Sequence, residues 1–137
     1  MRTPRALAVA FAVVAAFSVL GGVVSAHHSR AGYDTDDKIT TMKGVISQVQ
    51  WRNPHVFILW GVRDDKGNVV QWTGEFSSPS TMISEGLSRD TFKPGDEVAV
   101  TVIPAKAGTP QGLVIKMVRP DGRVVIDLSQ RRGLREQ

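Results

Sequence analysis

Three tight-turn signals constrain this chain more than any other feature. Asp64-Asp65-Lys66-Gly67-Asn68, Lys93-Pro94-Gly95-Asp96 and Pro120-Asp121-Gly122-Arg123 each set a glycine beside aspartate, asparagine or proline. Glycine reaches positive φ without steric cost, proline presets one turn dihedral, and Asx side chains bond to nearby backbone. The runs between them are short and rich in Val, Ile, Phe and Trp. Such punctuation leaves room for strands and little else.

Side-chain alternation then assigns faces. Residues 39–51 form the first strand, with Val45, Val49 and Trp51 on one face and Ser47 as the polar exception. Asn53-Pro54 interrupts it, because proline has no amide hydrogen and restrains the residue before it. Residues 55–63 place Val56, Ile58, Trp60 and Val62 on the inner face, with His55, Phe57 and Leu59 opposite. Residues 69–76 return with Val70, Trp72 and Phe76 inward and Gln71, Thr73 and Glu75 outward. Ser78 is placed to cap a short helix, Pro79 suits its first position, and Met82, Ile83 and Leu87 supply its apolar side. Residues 97–103, 113–118 and 124–126 complete the strands. The expected fold is all-β with one short helix, a small five- or six-stranded OB-like (oligonucleotide/oligosaccharide-binding) barrel; a small open sandwich is the alternative. Closure favours the barrel, since it hides strand edges and gathers the apolar faces into one core.

The first 26 residues have a different character. Two arginines precede an Ala, Val, Leu and Phe run, Gly21-Gly22 break it, and Val24 and Ala26 are small residues suited to peptidase cleavage. This is the pattern of an export signal; a retained membrane anchor is the competing reading. The expected organisation is a signal peptide over 1–26, an N-terminal arm over 27–38, the barrel over 39–128 and a basic tail over 129–137. Cleavage would leave 111 residues, enough for one domain. Losing Arg2 and Arg5 leaves 15 basic against 13 acidic residues, a net of +2, which argues against nucleic acid as a partner. No second apolar run predicts stable membrane insertion. With no cysteine there is neither a disulfide nor a thiolate ligand. The expected location is the periplasm or the medium.

The chain has three histidines, His27, His28 and His55. Cleavage after Ala26 would make His27 the first residue, so its α-amine and ring nitrogen could grip one metal ion together. The α-amine is suited to this because it loses its proton near pH 8, far more readily than lysine. His55 could add a third nitrogen, giving a histidine brace. A variant uses the amine, the amide between residues 27 and 28, and the His28 ring. All-nitrogen sets favour copper(II), and zinc fits three nitrogens plus water. Against this, the His27-His28 pair also reads as a mobile terminus, and His55 as a hydrogen-bonded rim residue.

Other candidates carry less chemistry. Glu75 could be an acid/base or a further ligand, but an outward strand carboxylate is usually solvated. Asp34, Asp36 and Asp37 lack the glycine and glutamate of a calcium loop. Met42, Met82 and Met117 read as core filler, and Trp51, Trp60 and Trp72 as core rather than a stacking platform.

Ala26-His27-His28-Ser29, the run from Gly44 through Trp51-Arg52-Asn53-Pro54-His55-Val56 to Ile58, and Lys93-Pro94-Gly95-Asp96 leading into Thr101 together resemble a known family. It is a family of small secreted proteins, mostly proteobacterial, of unknown function. The resemblance covers residues 26–126; it implies export and a single domain and brings no activity with it.

The functional expectation is a metal-binding domain, copper before zinc, that buffers or delivers an ion rather than an enzyme. The alternatives are a metal-free module binding a periplasmic protein or small ligand, and a copper-dependent oxidoreductase.

Overall fold

A computed structural model of the chain describes residues 31–34 and 38–130. The leader, His27, His28, the acidic positions 36 and 37 and all but the start of the tail lie outside the described residues.

The longest strand, β1 (Thr40–Trp51), organises the rest. Its first half pairs antiparallel with β4 (Glu97–Pro104) and its second half with β2 (Val56–Arg63), overlapping at Gly44 and Val45. One strand serving two partners must bend between them. A β-bulge between Ile46 and Gln48 and the side-chain-free Gly44 provide that bend. β2 turns through residues 64–68 into β3 (Val69–Glu75), with Gly67 at φ +85°. The Asp64 carboxylate accepts from the amides of Lys66 and Asn68, which closes the turn.

Helix α1 (Pro79–Ser84) follows; Ser78 caps it, its hydroxyl accepting from the Thr81 amide at 3.3 Å. Then come β4, β5 (Gln111–Val118) and β6 (Val124–Asp127). β3 and β5 pair in parallel through Thr73, Gly74 and Glu75 opposite Gln111, Gly112 and Leu113. That pairing closes the circuit β1-β2-β3-β5-β4 into a five-stranded barrel, and β6 lies outside it on β5. The described residues are therefore all-β with one short helix, as the turn spacing implied.

The core fills the barrel. Val56, Ile58 and Trp60 are wholly buried, joined by Ile46, Val100, Val102 and Val114 from neighbouring strands. Met82 and Met117 are wholly buried too, while Met42, Trp51 and Trp72 pack partly buried against the same cluster. The reading of the methionines and tryptophans as core thus holds.

Three facing assignments do not. Val45 is 45% exposed and Ile46 is buried in its place, because the bulge at Ser47 shifts strand parity by one. Val70 lies on the exposed early part of β3, ahead of the section that closes the barrel. Ile83 is exposed, since one short helix turns only Met82 inward.

β6 is held by the Lys116–Asp127 ion pair at 3.1 Å. Partial burial works against charge on Asp127, but hydrogen bonds from Ser129 and the Lys116 ammonium hold its carboxyl below the ordinary value of 3.8. A depressed carboxyl contributes stability above its unfolded pKa and loses it as pH falls through the folded value. Asp127→Asn should therefore lower the melting temperature at pH 7, and the gap to the parent should narrow at pH 3. Melting curves at the two pH values check this.

Candidate functional site

His55 stands between the cis Asn53–Pro54 bond and the first residue of β2. Val56 beside it is buried, so strand alternation turns His55 outward, onto the side that Phe57 and Leu59 share. Its side chain remains 31% exposed. The Phe57 ring lies 6.5 Å away, centroid to centroid, tilted by 54°.

Glu75 reaches His55 from the neighbouring strand. It ends β3, opposite Phe57 on β2 and Leu113 on β5, and so sits on the seam where the barrel closes. Its carboxylate Oε1 is 2.5 Å from His55 Nδ1. A carboxylate can only accept, so Nδ1 carries a proton, and in the neutral form of the ring that arrangement leaves the lone pair on Nε2. Glu75 is only 14% exposed. The expectation of a solvated strand carboxylate is corrected: the closing seam encloses this one.

The other carboxylate oxygen, Oε2, accepts from the Tyr33 hydroxyl. Tyr33 belongs to the arm, and the arm's described stretch, residues 31–34, is docked by backbone as well. Tyr33 bridges to Ala105, the Asp34 amide donates to the Pro104 carbonyl at 2.8 Å, and the Lys106 amide donates to the Gly32 carbonyl at 3.0 Å. Beneath the ring lie Ile103, Leu113 and Ile115, outward residues of β4 and β5 that are nonetheless buried. Tyr33 thus covers an apolar patch that the barrel interior cannot reach, and its hydroxyl end anchors to Glu75. Tyrosine suits this place because its body is apolar and its tip polar.

A three-membered chain results, Tyr33 to Glu75 to His55, drawn from the arm, β3 and β2. Sequence reasoning missed Tyr33. The signal was present, since the only tyrosine of the chain stands in an otherwise polar arm. Its partner, 42 residues away, becomes visible only through the fold.

Of the expected nitrogen ligands, His55 is described, and His27 and His28 fall outside the described residues. Among the described residues no three His, Asp or Glu side chains converge on a point that could hold a metal ion. His55 fits a ligand role by its own chemistry, because metal-bound histidines typically donate their second ring nitrogen to a carboxylate, as His55 does to Glu75. Among the described residues no helix is long and apolar enough to cross a membrane.

A model of the family of unknown function DUF6152 matches residues 14–116, about three quarters of the chain, and the chain belongs to that family. The match begins upstream of His27 and takes in Tyr33, His55 and Glu75. No curated protein and no solved structure matches the chain.

Proposed function

We propose that this member of the family is an exported metal-binding domain, copper before zinc, whose ligands are His55 Nε2 and the nitrogens of a processed terminus beginning at His27. The observation that carries the reading is the bond from His55 Nδ1 to Glu75, which fixes the tautomer a ligand histidine needs. The docked arm gives further support. Tyr33 is tied to the carboxylate behind His55, and His27 precedes it by six residues, a tether of roughly 20 Å at most when extended. A short tether raises the effective concentration of the terminal amine and imidazole near the rim.

The chemistry of such a site is binding. An α-amine and two imidazoles are hard to match with any ion but a late first-row metal, and copper(II) heads that order. A bound ion could be buffered in the periplasm or medium, or handed to a partner protein.

The test compares protein beginning at His27 with protein carrying one additional alanine before it. The authentic form should bind copper(II) at least 100-fold more tightly in a competitive titration, and its electron paramagnetic resonance spectrum should change on His55→Ala. Equal affinities for the two forms would overturn the role of the terminus. A spectrum indifferent to His55→Ala would remove His55 from the site.

A further inference from the structure

We propose that a groove on the outer barrel wall, remote from His55 along β2, is a binding site for a small amphipathic carboxylate. The groove encloses about 820 Å³, and small-molecule clefts typically span roughly 300–1,000 Å³. It crosses β1, β2 and β3 on their outward side and reaches the start of β4 and the end of β5.

Its apolar part is built from residues that the barrel turns out of the core. The bulge in β1 sends Val45 to the surface, and Val69 at the start of β3 is 63% exposed. Gly61 lies between them on β2. A Cβ there would stand 2.8 Å from Val69 Cγ1, so the missing side chain keeps the depression open. Water against two β-branched side chains is unfavourable, and an alkyl or aryl body would release it.

The polar groups at the floor satisfy one another. Gln71 Nε2 donates to Ser47 Oγ at 2.6 Å, and Ser47 Oγ donates to the Leu59 carbonyl at 3.1 Å. Charge therefore decides what the groove selects. Its lining holds three cations, Lys43, Arg63 and Arg119, against the single carboxylate of Glu97. Arg119 is engaged by Asp96 at 3.3 Å and by the Thr91 carbonyl at 2.9 Å, and Arg63 donates to the Gly67 carbonyl at 2.8 Å. Lys43 has no partner of either kind among the described residues. An excess cation over an apolar hollow is complementary to a ligand with one anionic head and a compact apolar body.

The full chain should bind anilinonaphthalene sulfonate, which has that shape, saturably at one site with enhanced fluorescence, and dodecanoate should displace it. Lys43→Glu and Val69→Asp lie at exposed positions; each should weaken the probe at least tenfold while leaving far-ultraviolet circular dichroism unchanged. His55→Ala should leave probe binding as it was, which separates this site from the metal reading. The proposal is overturned if neither groove substitution alters binding, if no saturable binding occurs, or if neutral octyl glucoside displaces the probe as well as dodecanoate does.

Discussion

Gly44→Ala should destabilise the protein by about 3 kcal/mol, more than an ordinary surface or turn substitution. A Cβ at this position would lie 2.2 Å from the Gly61 carbonyl oxygen and 2.8 Å from Trp60 Cδ1. The first is backbone of the adjoining strand and the second belongs to a wholly buried ring. Neither can step aside cheaply, because Gly44 is paired with Val62 in β2 on one side and Val98 in β4 on the other. The strand pair must spread at the point where β1 passes from one partner to the next. Against a total stability of roughly 5–15 kcal/mol, such a loss is large. Gly67→Ala is the control, since its Cβ would meet nothing within 4 Å and only its φ of +85° is strained. It should cost about 1 kcal/mol. Urea unfolding followed by tryptophan fluorescence measures both, and equal costs would show that crowding at Gly44 is not the cause.

The second large effect concerns Glu75→Ala. One substitution removes the acceptor for His55 Nδ1 and the anchor for Tyr33. Two separate readouts follow. Loss of the carboxylate behind a ligand histidine typically costs 10- to 100-fold in metal affinity, so under the proposed metal role copper(II) binding should fall by that factor. The arm should also loosen, so the amides of Asp34 and Lys106, which bond to Pro104 and Gly32, should exchange with solvent faster. The exchange measurement needs no metal and so tests the docking by itself. Unchanged protection at both amides would mean that the apolar patch under Tyr33 holds the arm without Glu75.

Much of the architecture was legible in the residues. The turns at 64–68, 93–96 and 120–123 separate the strands where expected, and the Ser78 cap with Pro79 marks α1. The inner face of β2 was readable because strict alternation there runs uninterrupted from Val56 to Trp60. β1 was misread at Val45 because a bulge inserts one residue and reverses the parity upstream of it. No composition rule announces a bulge when the residue at its centre is a plain serine. The Tyr33–Glu75–His55 cluster divides similarly. His55 was identifiable as a rim residue from its place after Asn53-Pro54, whereas the enclosure of Glu75 was not.

The sequence by itself determined the fold class, the strand boundaries within a few residues, the absence of thiol chemistry and the outward direction of His55. Those properties depend on local dihedral preferences and a two-residue period, which neighbouring residues carry. The hairpin register through residues 64–68 sets Glu75 beside His55 at the paired ends of β3 and β2. Tertiary structure alone decided that Tyr33 stands behind Glu75, because those two lie on segments brought together by the barrel's closure rather than by adjacency in the chain. Closing the β3–β5 seam is the event that sets Glu75 beside the β4–β5 patch under Tyr33 and so brings the tyrosine hydroxyl to its carboxylate.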